Sequence, residues 1–163
     1  MDTLKKIALG GGCHWCTEAI FQALEGVEQV DQGFVAQESD ASSFSEAVVV
    51  HFDGHRIGLK DLIEIHLHTH NATANHSMRN KYRSAVYVFE EEDHRKAEMI
   101  LNELQRDFKT PLVTKVLYFK AFKPSEVQFQ NYYLGNPQKP FCERHIAPKL
   151  ALLSERFSKH VKQ

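Results

Sequence analysis

The run Gly10-Gly11-Gly12-Cys13-His14-Trp15-Cys16-Thr17-Glu18 carries a nucleophile in a setting that sharpens it. The apolar residues Ile7, Ala8 and Leu9 ahead of it read as a strand, and Ile20, Ala23 and Leu24 behind it share one face of a helix. Three successive glycines allow a sharp turn where side chains would clash. Cys13 is thereby delivered to the first turn of a helix, where unpaired N–H groups and the positive end of the dipole favour an anion. A thiol so placed is biased toward thiolate, the form that attacks. Cys16 stands three residues on and completes a Cys-x-x-Cys spacing. Gly-rich turns more often cradle phosphates, but neither GxGxxG nor GK[ST] is present. A lone cysteine elsewhere would read as a small hydrophobe; the glycines and the second thiol favour chemistry here.

The elements that must hold this thiol follow from periodicity. Strands are expected over residues 5–9, 27–35, 46–52 and 84–89, with helices over 13–25 and 58–68. That order, βαββαβ, is the split βαβ arrangement of ferredoxin-like folds. A helix over 90–108 follows, opened by Glu90-Glu91-Glu92-Asp93, then a strand over 112–119 and a helix opened by Pro124 and Ser125. Beyond Gly135 the prolines Pro137, Pro140 and Pro148 punctuate a surface tail with a last short helix. The expectation is an α+β fold: a two-layer α/β sandwich on a ferredoxin-like core, with extra helices, a strand and a C-terminal tail. Residues 36–44 and 68–81 are expected as polar loops of the kind that carry function.

A chain of 163 residues with 42% hydrophobic and 25% charged residues reads as one globular domain, 1–163. A formal net charge of −1 argues against a nucleic-acid surface. The chain has no apolar run of membrane-spanning length and only a short one after Lys5-Lys6, so a soluble cytoplasmic protein, a monomer, is expected. Three cysteines, an odd number, suit catalytic thiols better than a disulfide framework. Ten histidines keep a metal alternative open, with His66 and His70 four apart on a helix and His76 nearby to join Cys13 or Cys16. There is no Glu-x-x-His frame around them.

Gly12-Cys13-His14-Trp15-Cys16-Thr17-Glu18 resembles the Gly-Cys-Phe-Trp-Gly-x-Glu signature of the methionine sulfoxide reductase A family. The likeness continues at Leu24-Glu25-Gly26-Val27, Gly33-Phe34, Ser45-Glu46-Ala47-Val48, Lys81-Tyr82-Arg83-Ser84-Ala85-Val86-Tyr87, Tyr132-Tyr133-Leu134-Gly135-Asn136-Pro137 and Phe141-Cys142. The resemblance implies reduction of the S epimer of methionine sulfoxide, free or within proteins, with no bound cofactor or metal and with thioredoxin as the external reductant. It also implies a two-layer α/β core. Under it Cys13 attacks the sulfoxide sulfur, Glu46 protonates the oxygen, Tyr82 donates a hydrogen bond to it, and Trp15 walls the methyl group. The product on Cys13 is a sulfenic acid, which condenses with a thiol. Cys142 matches a resolving position, in a tail expected to be mobile. Glu46 stands among Phe44, Val48, Val49 and Val50, and an apolar setting favours the neutral carboxyl that a proton donor needs.

The chain departs from the family pattern at four points. His14 replaces Phe in the methyl pocket, a titratable ring where the family has none. Cys16 replaces Gly and can itself resolve the sulfenic acid. The segment 36–44 omits one of two oxygen-binding tyrosines, and Phe44 has no hydroxyl to replace it. Ser77 stands for an Asp among the substrate-binding residues and cannot carry its charge. Two further alternatives therefore stand beside the reductase: a thioredoxin-like Cys-x-x-Cys dithiol oxidoreductase, and a catalytically weakened homologue that binds methionine sulfoxide.

Overall fold

A computed structural model describes residues 4–162. Five strands, β1 (Leu4–Gly10), β2 (Val27–Gln37), β3 (Asp40–Asp53), β4 (Ala85–Val88) and β5 (Lys115–Pro124), close into a barrel in the order β1-β3-β2-β5-β4. Helices α1 (His14–Gln22), α2 (Leu59–Thr69) and α3 (Glu91–Leu104) cover its outer face. The expected two-layer sandwich is therefore incorrect. β5, expected as an appendage, pairs antiparallel with β2 and parallel with β4, and so joins the two edges that an open sheet would have left bare.

Closure explains the composition of the strands. Ile7, Leu9, Val48, Val50 and Phe52 face the helices, while Ala8, Ala47, Val49, Ala85 and Tyr87 form a second cluster on the opposite, inner face. Both faces are buried, so Ala47-Val48-Val49-Val50 reads as a continuous apolar run rather than an alternating one. Small residues meet at the end nearest Cys13, where Gly10 pairs with Ala47 on one side and Ala85 on the other. A Cβ at Gly10 would lie 2.9 Å from the Glu46 carbonyl oxygen, so no side chain fits there.

Other boundaries also differ from expectation. Residues 36–44 are not a loop: β2 and β3 continue as a hairpin to the pair Gln37–Asp40, and the Glu38 N–H at its tip donates to Tyr118 O (2.9 Å). The polar side chains there reflect exposure at a hairpin end, whose register shifts between Ala36–Phe44 and Gln37–Asp40. No helix opens at Pro124, which ends β5 opposite Gly33, and the Ser125 N–H extends the pairing to Gln32 O (3.0 Å). A 3₁₀ turn (Val127–Phe129) follows, then α4 (Tyr132–Gly135) and, after a π-helical turn at Cys142–Ile146, α5 (Ala147–Arg156). Pro148, expected as tail punctuation, sits in the first turn of α5. The widened turn just before it accommodates the ring and its missing N–H.

Candidate active site

Cys13 is the N-cap of α1, and its carbonyl accepts the helix's first N–H groups from Cys16 (3.1 Å) and Thr17 (3.2 Å). The glycine turn before it is held from below. His66 Nε2 donates to Gly10 O (2.8 Å), and Arg79 Nη1 donates to both Gly11 O and Tyr82 O (2.8 Å each). A Cβ on Gly11 would fall 2.5 Å from the His70 ring, so that position needs glycine for space.

The half-buried Cys13 thiol is held below its ordinary pKa, chiefly by a hydrogen bond donated by the Cys16 thiol. Burial opposes this, the Trp15 N–H assists, and the Glu46 charge opposes. Cys16, as donor to Cys13 and buried, is pushed far above the ordinary thiol range. The two thiols are thus unequal: Cys13 is biased toward thiolate and Cys16 is its hydrogen-bond donor.

Glu46, on β3, lies 7% exposed against the start of α1. The His14 backbone N–H donates to its Oε1 (3.1 Å), His14 Nε2 lies 3.5 Å from the same oxygen, and Lys81 Nζ stands 3.7 Å from Oε2. The setting is more polar than the valine run predicts, because the carboxyl points along the barrel rim toward α1 rather than among its strand neighbours. Ser45 clamps the adjoining segment by donating to Lys81 O (2.9 Å) and accepting from the Arg83 N–H (2.7 Å).

Cys13, Cys16 and Tyr82 open on one shallow pocket of about 510 Å³, with Met78, Phe141 and Lys149 also on its walls. Ser77 begins an exposed 3₁₀ turn (Ser77–Asn80) between two pocket residues, His76 and Met78. Phe44 lies outside the pocket, under Lys123 Nζ, 4.1 Å from its ring. Trp15 is stacked on Tyr132 (4.1 Å between centroids, 8° between planes) and on Phe129 (5.5 Å), with Phe141 edge-on at 5.1 Å. Its faces are occupied by this C-terminal segment.

Cys142 is not on a mobile tail. It is fully buried in the π-helical turn, in one cluster with Cys16, Ala19 and Ile146 against which Cys13 packs. Burial pushes its thiol up. All three cysteines are free.

Two residues that hold the site escaped sequence reasoning. Glu18, 1% exposed, accepts from the backbone N–H groups of Asn131 (2.8 Å) and Tyr132 (3.1 Å) and from Gln32 Nε2 (2.9 Å), and so docks the segment that covers Trp15. Its place in the motif was visible; its partners, over a hundred residues away, were not. Arg79 ties the segment 71–82 to the glycine turn, donating also to Ala74 O and Asn71 O. Nothing in the loop's sequence, where Lys81 is a second cation, pointed to these partners.

The histidine alternative fails on geometry. His66 is committed to Gly10 O, while His70 Nδ1 donates to His66 O and its Nε2 accepts from Ser84 Oγ (2.8 Å). Among the described residues, only Glu64, His68 and Asp107 bring ligand atoms within 4.8 Å of one another, and that group excludes the cysteines. No described helix is long and apolar enough to cross a membrane.

Residues 5–161 match the family model described as peptide methionine sulfoxide reductase. A curated relative from Chromobacterium violaceum, the peptide methionine sulfoxide reductase MsrA, is 32% identical, with 95% of this chain and 97% of the relative covered. The fold is similar to that of Mxr1 from Saccharomyces cerevisiae solved in reduced form, with a TM-score of 0.76 at 24% identity over 88% of this chain and 91% of that one. It is also similar to Mxr1 solved in complex with Trx2, with a TM-score of 0.64 at 22% identity over 78% and 84% of the two chains. A thiol activated at a helix start, over a pocket with a phenol on its wall, is thus set in a matching sequence and a matching fold, and this chain is an oxidoreductase belonging to the peptide methionine sulfoxide reductase family.

Proposed function

We propose that the chain reduces the S epimer of methionine sulfoxide, free or within proteins, through a sulfenic acid on Cys13. The observation that carries this is the activated Cys13 thiol facing a pocket whose wall includes Tyr82, with Glu46 bonded to the next residue's N–H. The Cys13 thiolate attacks the sulfoxide sulfur, Glu46 supplies a proton to the oxygen, and the Tyr82 hydroxyl hydrogen-bonds it. Oxygen leaves with Cys13 as the sulfenic acid; the substrate sulfur gains two electrons and the cysteine loses two. Phe141 and Met78 line the apolar side of the pocket and receive the methyl group, Trp15 backs Phe141 edge-on, and Ser77 opens the turn between the pocket residues His76 and Met78.

Cys16 and Cys142, both within reach of the Cys13 cluster, are the thiols that resolve the sulfenic acid. Thioredoxin then reduces the disulfide, a reading supported by the yeast relative solved with Trx2. The redox equivalents reside on the three thiols, so the reaction calls for no bound cofactor or metal. The protein acts as a cytoplasmic monomer. The test is NADPH consumption coupled through thioredoxin reductase and thioredoxin, with each sulfoxide epimer supplied separately. Oxidation of NADPH with the S epimer alone is expected; turnover of the R epimer at a comparable rate overturns the handedness, and turnover of neither overturns the activity.

A further inference from the structure

We propose that Met78 is a substrate of its own active site: once peroxide has oxidised it, Cys13 of the same molecule reduces it back; the inference rests on the reductase reading of the site. Met78 and Cys13 line one pocket of about 510 Å³, together with Cys16, Tyr82 and Phe141. A thioether, the group that sulfoxide reduction produces, is thus built into the wall that holds the nucleophile. Met78 is 50% exposed, so peroxide in the solvent reaches it. Met99 on α3 is 71% exposed but lines no part of this pocket. These two are the methionines among the described residues.

The backbone at Met78 is fixed against the nucleophile's turn, while its side chain is not. The Met78 N–H donates to His76 Nδ1 (3.1 Å), and its carbonyl accepts from the N–H groups of Lys81 and Tyr82 (3.0 Å each). The next residue, Arg79, donates to Gly11 O, two residues before Cys13. None of the residues Ser77–Asn80 is buried, so the Met78 side chain, with three rotatable bonds, is free to turn its sulfur across the pocket. Oxidation makes that sulfur polar and chiral, and the Tyr82 phenol on the same wall is a donor for its oxygen.

Peroxide passes one oxygen to the Met78 sulfur and leaves as water, and the thioether loses two electrons. The Cys13 thiolate then attacks that sulfur and the sulfur–oxygen bond breaks. The oxygen, protonated, leaves with Cys13 as the sulfenic acid, and Met78 regains its two electrons. The Cys16 thiol displaces water from Cys13 and gives the disulfide that thioredoxin reduces. Peroxide makes both epimers and the site takes one, so the R sulfoxide of Met78 persists. Tethering in the pocket sets an effective concentration of about millimolar or more, so in micromolar protein repair within the molecule outruns repair by a second copy. Until it is repaired, the oxidised side chain occupies the pocket that an incoming sulfoxide needs.

The test treats the wild type with hydrogen peroxide while its thiols are held as disulfides, removes the peroxide, and then adds dithiothreitol. Peptide mass follows the Met78 and Met99 sulfoxides, and a parallel arm supplies free S-methionine sulfoxide. About half of the Met78 sulfoxide should disappear, at a rate unchanged over about a hundredfold dilution, whereas loss at Met99 should slow in proportion to dilution. None should disappear before dithiothreitol is added, nor in Cys13→Ser. The dilution series needs no variant, so it decides the matter even if Cys13→Ser does not fold. A Met78 that resists peroxide, a Met78 sulfoxide that persists while the free sulfoxide is reduced, or a Met78 loss that slows with dilution as Met99 does would each overturn the proposal. Reduction of neither sulfoxide overturns the reductase reading beneath it.

Discussion

The Cys16 thiol donates a hydrogen bond to the Cys13 sulfur, and this is the largest influence on the Cys13 thiol. The motif's two cysteines are therefore unequal before any oxidation. Replacing Cys16 with alanine removes the donor and leaves only the Trp15 and residue-16 N–H groups on the sulfur. With less stabilisation the thiolate forms at higher pH, so alkylation of Cys13 by iodoacetamide near pH 7 should slow by roughly three- to tenfold. The rate should recover as pH rises. An unchanged inflection would remove Cys16 from the account of Cys13's reactivity.

The order in which disulfides form follows from the burial of Cys142. A mobile tail would let Cys142 choose its approach to Cys13, and the family resemblance favours it as the first partner although local spacing favours Cys16. The π-helical turn removes that freedom, since Cys142 is fully buried in a fixed place beside Cys16 and cannot reorient toward Cys13 as a loop cysteine would. The free Cys16 thiol already hydrogen-bonds the Cys13 sulfur. Peptide mass mapping after one equivalent of methionine sulfoxide should find Cys13–Cys16 first, with Cys142 joining by exchange. Cys142→Ser should still form that first disulfide, and Cys16→Ser should accumulate sulfenic acid. Prompt Cys13–Cys142 disulfide in the wild type would reverse the order.

How much of this was legible varied with the range of the interaction. The nucleophile and its helix are local: three glycines and a capping cysteine specify them within a dozen residues. All five strands and the helices α2 and α3 were also visible, because apolar periodicity is a local signal. Barrel closure was not, since nothing in β5 records that it bridges Gly33–Gln37 of β2 and all of β4. The hairpin through Gln37 and Asp40 was misread as a loop because exposed strand ends are polar. At the site, Cys13, Cys16 and Tyr82 share one pocket whose walls do not include Glu46 or Trp15, and the stack of Tyr132 on Trp15 sits beside Glu18 gripping residues 131–132 across the chain. Long-range hydrogen bonds of that kind leave no periodicity to read.

That grip can be tested. Glu18→Ala leaves the N–H groups of Asn131 and Tyr132 without their acceptor, at about 1–3 kcal/mol for each donor that stays buried, while the Gln32 amide keeps Phe129 O. The chain is expected to release the segment instead, which costs less. Trp15 is the only tryptophan, so losing the Tyr132 stack should shift its emission to the red. Limited proteolysis should then cut within residues 129–141 before the barrel is touched. A variant with unshifted emission and wild-type cleavage would show that the segment is held by its apolar contacts alone.

Acid should loosen the floor of the nucleophile's turn. His66, fully buried, has its pKa pulled down to about 4 by desolvation, and His70 is lowered by burial and by His66 itself. Above about pH 6.5 neither the folded nor the unfolded chain protonates these rings, so they cost nothing. Between about pH 6.5 and 4 the unfolded chain binds protons that the folded chain refuses, and stability falls as pH falls. For His66 the loss approaches about 3 kcal/mol at the lower end, with His70 adding in the same direction. His66 holds Gly10 O and His70 fills the space beside Gly11, so the loosening is centred under Cys13. Denaturant unfolding of wild type and His66→Gln across this range is the check. Gln keeps an N–H for Gly10 O but cannot titrate, so the variant should lose less stability on acidification. Parallel curves for the two proteins would mean that His66 is not the group the folded state keeps neutral.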